Sequence, residues 1–142
     1  MIDIQALIPH RDPFLFVDLV LSLEETSILA EKTFHATDDF YRGHYPGNPI
    51  TPGVLLCETV FQTAAILVLK RVPLKPDMMP VLARIEDARF KAIVRPEEKL
   101  HIKAQLQERC GKFFLMSGEI LKEPDRKQAL KIQFSLALTE QK

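Results

Sequence analysis

Two side chains stand out for their chemistry before any fold is considered. Glu58 interrupts a run, Val54 to Leu69, that is apolar at twelve of sixteen positions. Gln62 follows at i+4 spacing, so on a helix the two share a face. Burying a carboxylate without partners is costly. Burial also favours the protonated form, the state a general acid needs. Fourteen residues before Glu58, His44 sits in Gly43-His44-Tyr45-Pro46-Gly47-Asn48-Pro49-Ile50-Thr51-Pro52-Gly53, with three Gly and three Pro in eleven residues. A histidine titrates near neutrality and can serve as a base, and the glycines around it let a substrate chain approach. Each residue also has a plain structural account. A polar stripe along an exposed helix edge explains Glu58 and Gln62 equally well, and most loop histidines make only an ordinary hydrogen bond.

A third element lies between them. The first amides of a helix have no internal acceptor and carry partial positive charge. Pro52 has no N–H, so Gly53 and Val54 supply the first free ones, and Gly53 has no side chain to block a ligand. Such a terminus can polarise a carbonyl in the manner of an oxyanion hole. Base, acid and carbonyl donor together suit removal of a proton beside a carbonyl with loss of a β hydroxyl.

The other titratable groups are weaker candidates. His10 precedes Arg11, His35 ends a run of strand character, and His101 faces outward on an alternating stretch. No metal-ligand spacing links them; no metal is expected, and no cofactor. Cys57 and Cys110 form no disulfide framework, and Cys57 reads as a small buried thiol. Lys+Arg and Asp+Glu both number 19, so no global charge points to nucleic acid. The charge is uneven, however: residues 1–58 hold three basic and nine acidic side chains, residues 59–142 sixteen and ten. A basic face on the second half would meet an acidic partner; scattered surface charge is the alternative. The N-terminus lacks the features of a signal peptide. Glu58 and Gln62 break the longest apolar run, so no membrane span is expected, and a reducing cytoplasm is the simplest location.

The elements that must position these residues follow from periodicity. The length of 142 residues suits one domain, 1–142. A short helix is expected over Ile2–Ile8, ended by Pro9. Strands are expected over Phe14–Leu23 and Ser27–His35, with Ile28, Ala30 and Phe34 on one side. A helical turn follows at Asp38–Tyr41, then the stiff Gly/Pro loop. Thr51 reads as an N-cap and Pro52 as the first residue of a helix over Val54–Leu69. Strands are then expected over Val81–Lys91, Leu100–Gln107, Phe113–Leu121 and from Leu130 to the chain end, with turns at Gly111 and Glu123-Pro124-Asp125. An α+β fold, an antiparallel sheet curled around one apolar helix, satisfies this order.

At this point the residues resemble a known family. The run from Gly43 to Leu55, with Glu58 and Gln62, is similar to the signature of FabZ-type (3R)-hydroxyacyl-acyl-carrier-protein dehydratases. Pro9-His10-Arg11-Asp12-Pro13-Phe14-Leu15, with Val17-Asp18, resembles the family's N-terminal motif, and Ala88-Arg89-Phe90-Lys91 its post-helix strand. The resemblance implies a hotdog fold and a homodimer, often a trimer of dimers. It implies dehydration of 3-hydroxyacyl thioesters to trans-2-enoyl thioesters in fatty acid biosynthesis. The substrate would ride on the phosphopantetheine of acyl carrier protein. His44 and Glu58 would be catalytic, the histidine of one chain working with the acid of the other. Gly53, Val54 and Gln62 would border the substrate, Gly53 through its N–H to the thioester carbonyl. Glu rather than Asp at 58 resembles the branch that only dehydrates.

Departures from the pattern are Thr51 for a usual Met, Phe61 for a small residue, Arg84 for Gly, and Arg95-Pro96-Glu97-Glu98 for a Val-Pro-Gly-Asp turn. They bear on chain length and carrier docking, with Arg89, Lys91, Arg95 and Lys99 as docking candidates. A specialised-pathway dehydratase paralogue, a thioesterase on the same fold and a non-catalytic acyl binder are the alternatives.

Overall fold

The computed structural model describes residues 1–72 and 77–140. The remaining positions of the expected 1–142 domain, including the last two of the expected final strand, lie outside the described residues. The elements are α1 (Ile4–Leu7), β1 (Leu19–Leu23), β2 (Ser27–Thr33), a 3₁₀ turn (Asp39–Arg42), α2 (Gly53–Arg71), β3 (Met78–Phe90), β4 (Lys99–Cys110), β5 (Phe113–Lys122) and β6 (Lys127–Glu140). The six strands form one antiparallel sheet in the order β1-β2-β4-β5-β6-β3. Helix α2 packs against five of them, β2 to β6. This is the hotdog arrangement.

Alternation decides which sheet face meets the helix. Leu100, Ile102 and Ala104 of β4, Phe114, Met116 and Ile120 of β5, and Leu130, Ile132, Phe134 and Leu136 of β6 are all buried with Leu56, Val60, Ala64 and Leu67 of α2. Period-two side chains from the strands thus meet a helix that is apolar on most of its circumference. Helix α2 has the length and apolarity of a membrane span, yet 67% of that window is buried inside the fold. Gly118 of β5 lets the helix come close: a Cβ there would collide with Val60 Cγ1 and stand 3.3 Å from the Lys103 carbonyl.

Three local expectations are corrected. The strand expected from Phe14 begins only at Leu19. Upstream of it, the backbone is satisfied by a side chain instead of a ladder: Phe16 N–H donates to Gln62 Oε1 (2.8 Å) and Gln62 Nε2 donates to the Phe14 carbonyl (2.9 Å). The strand expected to reach His35 stops at Thr33, because the His35 amide turns to Asp38 Oδ2 and the Ala36 amide to Glu97 Oε1. Finally, Pro52 and not Thr51 is the N-cap of α2, and no side chain caps the helix. Thr51 is diverted: its hydroxyl bonds the buried Tyr41 hydroxyl and its amide donates to the Val94 carbonyl.

The altered turn keeps its shape. Glu97, where the resembled pattern has glycine, holds φ +68°. Left-handed backbone is unfavourable for a residue with a Cβ. The Glu97 carboxylate offsets part of that by accepting the Ala36 N–H at 2.9 Å and facing His35 Nδ1 at 3.1 Å. Those same contacts hold the Glu97 carboxyl below its ordinary value.

Candidate active site

The Gly/Pro loop is a rigid frame for one imidazole. Tyr45 and Asn48 exchange backbone hydrogen bonds across a turn that Gly47 closes at φ +71°. The Ile50 amide donates to the His44 carbonyl at 3.0 Å. In return His44 Nδ1 lies 2.8 Å from the Ile50 carbonyl. A carbonyl oxygen only accepts, so Nδ1 carries a proton, and in the neutral ring Nε2 is the nitrogen with the lone pair. The Tyr45 ring stacks on the imidazole at 4.1 Å between centroids. Arg95 braces the loop from outside, with Nη1 on Asn48 Oδ1 at 2.9 Å.

Glu58 lies in the second turn of α2. Its side chain is 23% exposed in the single chain, so the expected enclosure is incomplete. Gln62, one turn on, is only 1% exposed. Its Nε2 donates to Glu58 Oε2 at 2.9 Å. One amide therefore orients the carboxylate and also pins the Phe14–Phe16 segment across the helix.

The start of α2 presents its amides as expected. Leu55 and Leu56 N–H both turn back to the Pro52 carbonyl, and no acceptor is found for Gly53 or Val54 N–H among the described residues. Val54 is 75% exposed. The Phe90 ring stands beside Gly53, where an added Cβ would come within 2.9 Å of Cε1. Glycine at 53 thus keeps both the amide and the aromatic wall in place. Arg89 and Lys91 flank Phe90 and are exposed; Arg89 pairs with Asp87 at 3.1 Å and Lys99 with Glu31 at 3.6 Å.

His44 and Glu58 do not meet within one chain: among the described residues no carboxylate oxygen lies within 4.0 Å of a His44 ring nitrogen. The histidine beside Glu58 is instead His10, with Nε2 3.6 Å from Oε2. Its place in the site was not legible from its local sequence, because the pairing spans 48 residues and only the folded N-terminal segment creates it. His101 sits between Glu31 and Glu123 on the outer face, at 3.4 and 2.8 Å, away from α2. Cys57 is no nucleophile, for burial pushes its thiol up to about 11. Among the described residues no group of three or more His, Cys, Asp or Glu is spaced to hold a metal ion.

Comparison with known proteins follows the same lines. Residues 8–133 match the FabA-like domain family. The chain is 43% identical over 106 residues to a 3-hydroxyacyl-acyl-carrier-protein dehydratase FabZ of Chloroflexus aggregans, covering 74% of this chain and 73% of that one. It is 40% identical over 116 residues to the FabZ dehydratase of Petrotoga mobilis, covering 82% of each. Among solved structures, the dehydratase heterocomplex ApeI:P of Xenorhabdus doucetiae superposes with a TM-score of 0.79 at 13% identity, over 99% of this chain and 93% of that one. A hypothetical thioesterase with coenzyme A from Streptococcus pneumoniae superposes at 0.66 and 12% identity, over 87% and 86%. At such identities the two structures share the fold alone.

Proposed function

The chain belongs to the FabA-like family, and on that premise we propose how it works as a 3-hydroxyacyl-acyl-carrier-protein dehydratase of fatty acid biosynthesis. His44 Nε2 takes the α proton of a (3R)-3-hydroxyacyl thioester. The electron pair forms the C2–C3 double bond, the C3–O bond breaks, and the Glu58 carboxyl protonates the departing hydroxyl to give water. The Gly53 amide, with Val54 beside it, donates to the thioester oxygen as negative charge builds there. Gln62 holds Glu58 in line. No cofactor takes part; the acyl chain arrives on the phosphopantetheine of acyl carrier protein, in the cytoplasm.

The observation that carries this reading is the fixed tautomer of His44. Its Nδ1–H is committed to the Ile50 carbonyl at 2.8 Å, which leaves Nε2 as an aimed base. The separation of His44 from Glu58 within a chain supports a site shared between two copies. Strand β3 at the sheet edge exposes Val81, Leu82 and Ile85, and Phe90, Val54 and Tyr45 extend the apolar surface to the site. A homodimer covers this surface, and three dimers form the hexamer. Arg89 and Lys91 beside Phe90 suit an acidic carrier.

Mixing two dead variants tests the arrangement. His44→Ala and Glu58→Gln should each lose nearly all enoyl formation from 3-hydroxybutyryl thioester, read by absorbance. Refolded together, they form mixed dimers in which one site keeps both wild-type groups, so activity returns. Absence of recovery in verified mixed dimers would place the pair within one chain. Release of free thiol in place of enoyl product would favour a thioesterase.

A further inference from the structure

The N-terminal segment brings a second histidine to the acid, and its two ring nitrogens are in unequal surroundings. Nε2 faces Glu58 Oε2 at 3.6 Å, while Nδ1 is sealed from solvent and has no hydrogen-bond partner. Arg11 spends its guanidinium on the carbonyls of Gln5, Ile8 and His10, at 2.8, 2.9 and 2.7 Å. It thereby locks the backbone that carries His10. Gln62 Nε2 reaches the same carboxylate oxygen, Oε2, at 2.9 Å. Oε1 has no partner among the described residues.

We propose that His10 is the positioning residue of Glu58: it presents an uncharged Nε2–H to Oε2, opposite the Gln62 amide, and so turns Oε1 toward the substrate. This role rests on the dehydratase reading of Glu58. His10 is not a second base, since one nitrogen is sealed and the other is spent on the carboxylate. A charged His10 is disfavoured for two reasons. Burial lowers its pKa, more than Glu58 raises it, and Arg11 lowers it further. A second ring proton on Nδ1 would also find no acceptor. Glu58 is therefore held by two neutral donors, which fix its direction without an ion pair. The 3.6 Å approach is longer than a closed hydrogen bond, a looseness common where catalytic groups await substrate.

Two variants test this, with glutamine as the conservative replacement because its amide nitrogen reaches the place of Nε2. His10→Ala should lower kcat about tenfold or more with KM within about twofold, and His10→Gln should recover most of the loss. In a Glu58→Gln background, His10→Ala should cost nothing further. Carbon NMR of labelled glutamate gives a readout independent of turnover. The Glu58 carboxyl signal, assigned by its absence in Glu58→Gln, should move in His10→Ala and return in His10→Gln. An unmoved signal, or a kcat loss that His10→Gln does not restore, overturns the proposal. A wild-type protein silent on every 3-hydroxyacyl thioester would sink the dehydratase reading, while the carboxyl signal still decides whether His10 holds Glu58.

Discussion

Gln62→Met removes one side chain's hydrogen bonds while keeping its volume, so it isolates what that amide does. Three bonds go at once: Phe16 N–H to Oε1, and Nε2 to the Phe14 carbonyl and to Glu58 Oε2, all between 2.8 and 2.9 Å. The Phe14 carbonyl belongs to a half-exposed residue and finds water. Phe16 is 4% exposed, so its amide is left buried and unpaired, at about 1–3 kcal/mol. Losing the bond to the Glu58 carboxyl adds about 1 kcal/mol. The expected destabilisation is about 2–4 kcal/mol. With about 2.1 cal/mol/K of unfolding entropy per residue over 142 residues, each kcal/mol lowers Tm by about 3 °C, so the melt should fall by about 6–12 °C. Calorimetry measures this, and hydrogen exchange locates it: the amides of Phe14 to Val17 should lose protection before those of β4 and β5. A fall under about 2 °C, or exchange that rises evenly across the sheet, would refute the view that Gln62 stands in for a neighbouring strand.

Other perturbations have distinct signatures. Gly53→Ala pushes on the half-exposed Phe90 ring, which can swing away, so the stability cost should stay near about 1 kcal/mol. The displaced ring crowds the Gly53 amide, and kcat/KM should fall about tenfold or more, which steady-state kinetics beside a thermal melt will separate. Gly118→Ala has no such escape, because the new Cβ would also stand 3.3 Å from the Lys103 carbonyl and 3.4 Å from Ile132 Cγ2; a loss of about 3 kcal/mol is expected. Adding Val60→Ala should cost much less than the sum of the single changes in urea titrations. His10 has a pKa lowered from its ordinary 6.5, so below that value the unfolded chain takes up a proton the folded chain refuses. Stability from this group is complete above pH 6.5 and is lost as pH falls toward the lowered folded value. His10→Gln should therefore lose less stability than wild type between about pH 7 and pH 5 in denaturant titrations.

The order of elements was readable because alternation and apolar length are local signals. The alternating Leu100, Ile102 and Ala104 and the sixteen-residue apolar run each identify their element without help from distant residues. What was not readable depends on partners far along the chain. Phe14 to Val17 has strand composition, but its backbone is met by Gln62, 46 and 48 residues away, and not by a strand. Thr51 has the chemistry of an N-cap, yet Tyr41 competes for its hydroxyl. His44 was found because glycines and prolines announce a shaped loop. His10 reads as a weaker candidate because its partner, Glu58, is 48 residues along the chain on the central helix.

The outer edge of β3 carries one more consequence. Thirteen residues long and apolar at Val81, Leu82 and Ile85, it is an unpaired ladder that any sticky strand can template upon. The second copy proposed above would be a safe occupant, which would make mass action part of the protein's integrity. Diluted below the dissociation constant of the proposed dimer, the enzyme should lose turnover and conformational safety together. Concentrating it promptly should restore both, and prolonged dilution should leave an aggregated fraction that does not return.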